Sequence, residues 1–419
     1  MISSVRPPSV IPSAAMLAVL GVPVLAGNVL VVDASGGGDH TSIQVAIDVA
    51  VDGDTILVKS GTYENFRIDD KTVAVVADTG AHVNVTNTVR IENLAIHRDA
   101  LLVGLRVVDY PGGGMDAGLR ARINHGSVRV DGCRLTSLGY LGNGARVEGS
   151  RDVVIAGSEL RSGTQVYPGD ALRLTVFGES RAAVYDSWLR GGDSTGATDE
   201  QSCARPDGGD GADVRSPTFL FAAGSALFGG DGGESSAGGK LGCACGGDGG
   251  RGGNGVNAFG GSVALLDNRY HGGAGGPCRP GSCPRCQDGW PGQDVVGNAT
   301  FFEGRARQLV VGNPQREGST ILVEARGLPG DQVYLFLSQE TGYRYLPGLR
   351  GVQVTGRSGP STFLGRIPRS GILVKPFPIP DLGPGVESTT IHLQAVHRAI
   401  SGAWTLGSPV SLVVLDRAF

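Results

Sequence analysis

Aromatic side chains are scarce in this 419-residue chain, at 6%. Beyond residue 26 no stretch approaches the roughly 18 apolar residues of a membrane helix, so no later span is expected. Basic charge is short as well. A net charge of −4 and a pI near 6.0 leave no electropositive footprint for nucleic acid. Glycine is abundant, at 70 residues, yet it never settles into a sustained period of three, which excludes a collagen triple helix. With 40% hydrophobic residues the chain is too apolar for disorder. Asn-Gly pairs are scarce between the apolar segments, which argues against an antiparallel meander.

What is present is a repeat. Six copies of a short unit read apolar, any, apolar, any, turn residue, small or polar, any, apolar. The turn residues are Gly104, Gly132, Gly157, Asp186, Gly224 and Asp267, types that suit a left-handed backbone position. One apolar row precedes the turn (Leu102, Val130, Ile155, Val184, Ala222, Leu265) and a second follows it (Val107, Leu135, Leu160, Leu189, Leu227, Tyr270). Alternation with period two is strand behaviour, so two short strands meet at a fixed corner in every copy. Stacked copies of such a corner describe a parallel β-helix. Steps between turns of 28, 25 and 29 residues fit bare coils, whereas the last two, 38 and 43, carry insertions.

Those insertions are glycine-rich and lie at 193–211, 231–254 and 274–297. They hold Cys203, Cys243, Cys245, Cys278, Cys283 and Cys286, while Cys133 falls at an inward repeat position. Six loop cysteines in an exported protein are expected to form disulfides, in pairings that spacing does not choose. Cys243-Ala244-Cys245 with Cys283-Pro284-Arg285-Cys286 is the zinc alternative. Export itself is expected from residues 1–26. Arg6 is the only charge before Asp33, Ala14–Val24 is apolar, and Val24-Leu25-Ala26 fits a cleavage site. No cysteine follows that cut, so no lipid anchor is expected.

Residues 29–69 add a cap. Thr41 or Ser42 starts a helix whose Ile43, Ala46, Ile47 and Ala50 share one face. A strand Thr55–Val58 and a corner at Gly61-Thr62-Tyr63 follow. Gly38-Asp39, Thr41-Ser42, Ile43-Gln44, Ala46-Ile47, Gly53-Asp54-Thr55-Ile56 and Gly61-Thr62-Tyr63 together resemble the N-terminal cap of the right-handed β-helix superfamily of pectate lyases and pectin methylesterases. The resemblance implies a right-handed, single-stranded parallel β-helix over 27–305. Strands separated by Leu328-Pro329-Gly330-Asp331 and Gly383-Pro384-Gly385 predict a β-sandwich over 306–419. That segment is similar to the C-terminal modules of large exported bacterial proteins.

Outward residues of stacked coils form ladders. Arg134, Trp188 and Arg269 fall in one outward row, and Arg161, Arg190 and His271 in another. Arginine grips a sugar carboxylate and tryptophan stacks on a sugar face, so these rows are expected to bind acidic polysaccharide or another cell-envelope component. The catalytic motifs of pectin methylesterases are missing: no Gln-Ala-Xaa-Ala-Leu, Asp-Phe-Ile-Phe-Gly or Leu-Gly-Arg-Pro-Trp occurs. Pectate-lyase resemblance implies a calcium-assisted alternative, with Asp186, Asp193, Asp210 and Asp231 as candidate oxygen ligands. No cofactor is otherwise required. The seven histidines show no metal-ligand spacing, and Gly36-Gly37-Gly38 lacks the Gly-Lys-Ser/Thr of a phosphate loop. The leading expectation is therefore an extracellular or cell-surface binding or structural module, with a lyase as the alternative.

Overall fold

A computed structural model describes residues 27–110, 117–175, 178–196, 206–235, 248–278, 286–356 and 361–419. The expected signal segment and Cys203, Cys243, Cys245 and Cys283 lie outside these residues. The chain divides into two compact units, one of Leu30–Asp52 with Ile56–Gly304 and another built on Arg305–Phe419.

The first unit is a parallel β-helix whose coils each contribute three short strands. The first face begins with Val29–Val32, Thr55–Val58 and Val73–Ala77, the second is an eight-stranded sheet from Gly61–Tyr63 to Arg269–His271, and the third begins with Arg67–Asp69 and Val89–Glu92. First and third faces join where Val256–Leu266 runs from one into the other, bending at Gly260 with φ 81°. Every strand pairing between successive coils among the described residues is parallel. Leu102, Val130, Ile155, Val184, Ala222 and Leu265 stack in register and are no more than 1% exposed. Val107 to Tyr270 stack likewise on the second face. Each fully buried Leu, Ile or Val in these rows adds roughly 1.5–3 kcal/mol to folding before entropy is counted.

The corner between first and second faces has φ of 48° to 70° at all six turn residues. Beside it runs a polar ladder. Ser158, Ser187, Ser225 and Asn268 each accept, through a side-chain oxygen, the main-chain N–H of the residue that follows the turn one coil earlier (Cys133, Ser158, Ser187 and Ser225), at 2.8–3.1 Å. A buried N–H without such a partner would carry its full desolvation cost, which explains the small polar residue after the turn. The segment 55–100, less regular in sequence, belongs to the same three faces. The corner between Val73–Ala77 and Val83–Thr86 is longer, a turn at Asp78-Thr79-Gly80 with Gly80 at φ 75°, so the single-residue turn of the repeat does not mark it.

Helix Ile43–Val49 buries Ile43, Ala46 and Ile47 in the core of the first coil, and Ser42 occupies the N-cap position without a side-chain bond. The second unit is a β-sandwich. A three-stranded sheet containing Thr320–Arg326 and a five-stranded sheet containing Ser388–Arg398 share one core, with Ile321, Val323 and Ala325 facing Val333, Leu335, Leu393 and Val410.

The described arms of the glycine-rich insertions leave between second and third faces and stack coil on coil. Outgoing arms 190–196, 228–235 and 271–278 bond side by side (Ser194 N–H to Asp231 O, 2.8 Å; Gly232 N–H to Ala274 O, 2.8 Å), and returning arms do the same (Gly208 N–H to Arg251 O, 2.8 Å). Across the two layers, Gly230, Gly253, Gly273 and Gly292 donate in turn to Gly209, Gly230, Gly253 and Gly273, each at 2.8 Å. Cross-layer donors within an arm are three residues apart, as at Gly230 and Gly233, or Gly250 and Gly253. That is the period of an extended helix with three residues per turn and no internal bonds. Period three, absent as a sustained repeat, thus rules locally. The third position of each triplet carries a side chain, and there Asp170, Asp193, Asp210 and Asp231 accept main-chain N–H groups from the next coil. Cys278 and Cys286 are disulfide-bonded at the outer end of the last pair of described arms, which removes Cys286 from the zinc alternative. Cys133 is free and buried.

Candidate anion-binding site

On the third face, strands read arginine, apolar, polar. Arg67-Ile68-Asp69, Arg90-Ile91-Glu92, Arg120-Ala121-Arg122, Arg146-Val147-Glu148 and Arg173-Leu174-Thr175 follow one another. The middle residues are buried in the core, so their neighbours point outward. Register then places Arg67, Arg90, Arg120, Arg146 and Arg173 in one straight ladder over five coils. The step is about 4.8 Å, the strand spacing of any sheet. Like charges so close repel by roughly 1 kcal/mol per pair in water and more where water is scarce.

Carboxylates offset part of that repulsion. Glu148, 1% exposed, lies 3.0 Å from Arg120, 2.7 Å from Arg146 and 4.0 Å from Arg122. Arg67 has Asp69 at 2.8 Å and Glu92 at 3.0 Å. At the far end buried Asp213 takes Arg215 at 2.8 Å and Arg173 at 3.5 Å, and Arg173 also lies 3.7 Å from Asp170. Arg90 is the exception. It has no ion-pair partner among the described residues, and its buried Nε has no hydrogen-bond partner. It stands second in the ladder, and half-exposed Arg122 shares the single charge of Glu148 with Arg120 and Arg146, so positive charge is in excess over this stretch.

The carboxyls at the ladder's end are themselves perturbed. Burial, then the charges of Asp210 and Asp213, push Asp170 up to about 8. Asp210 is raised by burial too.

The predicted rows on the second face are in register: Arg134, Glu159, Trp188, Ala226 and Arg269 in one, Arg161, Arg190, Phe228 and His271 in the other. Their charges are largely engaged. Glu159 holds Arg134 at 2.6 Å and Arg161 at 2.8 Å, and Asp193 takes Arg190 with both oxygens. The Arg161 guanidinium sits 4.5 Å above the Trp188 ring, where a sugar would stack, and Phe228 lies 6.0 Å to its side. Arg269 and His271 are on the last coil, apart from this cluster.

The four candidate calcium ligands are divided. Asp193 and Asp231 stack in the outgoing layer, Asp210 sits in the returning layer, and Asp186 forms a corner with φ 48°. Among the described residues no group of acidic, histidine or cysteine side chains has metal-site geometry. Main-chain hydrogen bonding accounts for the positions of Asp193, Asp210 and Asp231.

Structure and site define the class of protein: a parallel β-helix with a cationic ladder on one face. No family model matches the chain, and no curated protein does. Among solved structures, pectate lyase Pel9A is similar over 67% of this chain and 79% of its own, at 11% identity and a TM-score of 0.33. Superoxide reductase (neelaredoxin) from Ignicoccus hospitalis is similar over 26% of this chain and 80% of its own, at 12% identity and a TM-score of 0.16. Both likenesses are too slight to support an argument. The fold rests on strand register alone.

Proposed function

We propose that this chain is an exported binding module that holds an acidic polysaccharide along the third face. Arg90, second in the arginine ladder and without an ion-pair partner among the described residues, carries this reading. Guanidinium groups repeating at each coil suit carboxylate or sulfate groups repeating along an extended polymer. Carboxylates in the adjacent row, Asp69 and Glu92, suit hydroxyl donors, which sugars supply and a DNA backbone lacks. Such a face favours a chain of acidic sugars over DNA.

The test is calorimetric titration with sized acidic oligosaccharides, a neutral glucan serving as control. Arg90→Gln and Arg122→Gln should each weaken binding about tenfold, the effect of losing one charge-assisted contact. Affinity should also fall with salt. Binding unaltered in both variants would remove the ladder from consideration.

A further inference from the structure

At one end of the sandwich core three ionisable side chains meet over a glycine. A Cβ on Gly327 would lie 3.0–3.1 Å from Arg307 Cδ, His397 Nδ1 and Asp331 Oδ2 alike, so the missing side chain is what lets them converge. None of the three is more than 5% exposed. Arg307 Nε donates to Asp331 Oδ2 at 2.6 Å, and the Leu328 N–H donates to the same oxygen at 3.1 Å. His397 is left over. Its Nδ1 stands 3.9 Å from Asp331 Oδ2, and neither ring nitrogen has a hydrogen-bond partner among the described residues. The cluster also joins separate stretches of chain. The Arg307 carbonyl accepts the Ser408 N–H at 2.9 Å, the Asp331 carbonyl accepts the Ile367 N–H at 2.9 Å, and His397 lies in register with Val333 and Thr405.

With a neutral ring this cluster is balanced, because the charges of Arg307 and Asp331 cancel. Those two are the charged groups that face the ring among the described residues. Val333 and Thr405 are uncharged, and Arg398, on the other side of the strand, lies over the Trp404 ring at 5.5 Å. Arg305, Arg326 and Arg366, on the neighbouring segments, are exposed to solvent. A proton on the ring would put two cations beside one carboxylate in a site without water, and an uncompensated buried charge is strongly destabilising. We propose that His397 is an acid-operated clasp: a proton taken up by its ring opens this end of the sandwich. Burial first, and Arg307 second, hold the ring down to about 3 against 6.5 ordinarily. The unfolded ring therefore takes a proton where the folded ring does not. Stability is full above about pH 6.5 and is lost as pH falls toward about 3.

Amide exchange of the full chain tests this, read by mass spectrometry from pH 7 to pH 4 and corrected for the intrinsic rate at each pH. The opening constant of residues 388–398 should rise about tenfold for each pH unit between about 6 and 4, the effect of one proton bound only by the open form. His397→Leu, which replaces the ring with an apolar side chain, should abolish that rise. Deuterium uptake at the His397 ring C2 of the unmutated chain gives a readout independent of the variant's folding. Its pH profile should show no inflection above about pH 5. An inflection between about pH 5 and 8, a flat opening constant in the native chain, or an equal rise in His397→Leu would overturn the proposal.

Discussion

Substituting Gly253 by alanine tests the glycine layers most directly. A Cβ at this position would lie 1.9 Å from the carbonyl oxygen of Gly209 and 2.5 Å from its carbon, both rigid main-chain atoms. To restore contact distance the arm must retreat by more than an ångström. Two hydrogen bonds then stretch, Gly253 N–H to Gly230 O and Gly273 N–H to Gly253 O, both 2.8 Å at present. Overpacking costs roughly 1–3 kcal/mol and each weakened bond roughly 0.5–1.5 kcal/mol. Alanine returns about 0.4–1 kcal/mol by restricting the unfolded chain. The net loss is therefore about 3 kcal/mol, or about 6–12 °C in Tm for a unit this large. Urea unfolding followed by circular dichroism measures it. Ala274→Ser, at an exposed third position of the same triplet pattern, should stay within about 0.5 kcal/mol of the native chain. If Gly253→Ala matches that control, the two layers do not pack through their glycines and the hairpins are ordered by something else.

Three further outcomes are expected. Glu148→Gln leaves Arg120, Arg122 and Arg146 without their shared buried carboxylate and should cost about 3–5 kcal/mol in urea unfolding. A loss below 1 kcal/mol would mean the ladder tolerates its own repulsion. Asp170, at about 8 when folded against 3.8 ordinarily, keeps a proton that the unfolded chain releases. Its contribution to stability is complete at pH values below about 4 and is lost as pH rises through about 8, with a slope of at most about 1.4 kcal/mol per pH unit. Asp170→Asn retains the acceptor for the Asp210 N–H and should flatten the stability profile between pH 5 and 8; an unchanged profile refutes the assignment. Burial pushes the Cys133 thiol up to about 12, so iodoacetamide at pH 8 should label it only after unfolding, as peptide mass mapping would register.

The division between what was legible in the sequence and what was not follows physical lines. Period-two alternation and a left-handed corner are local properties, so the inward rows from Leu102 to Leu265 and the six turns could be read residue by residue. The capping helix Ile43–Val49 likewise announced itself through one apolar face. Register on the second face followed from the corners, because a fixed bend sets which residues lie above one another. The glycine arms were not legible. Each contains only a few triplets, and the carbonyl that forbids a Cβ at Gly253 belongs to Gly209, a full coil away.

The arginine ladder had a signal that went unread, since Arg67-Ile68-Asp69, Arg90-Ile91-Glu92 and Arg146-Val147-Glu148 repeat one pattern. Its members stand 23, 30, 26 and 27 residues apart, and no corner glycine marks their strands. Sequence alone therefore determined that this chain winds into a parallel solenoid, because winding is imposed by side-chain alternation and backbone sterics within each turn. Which charges share a face and which carboxylates neutralise them were decided only when loops of unequal length closed into coils of equal rise.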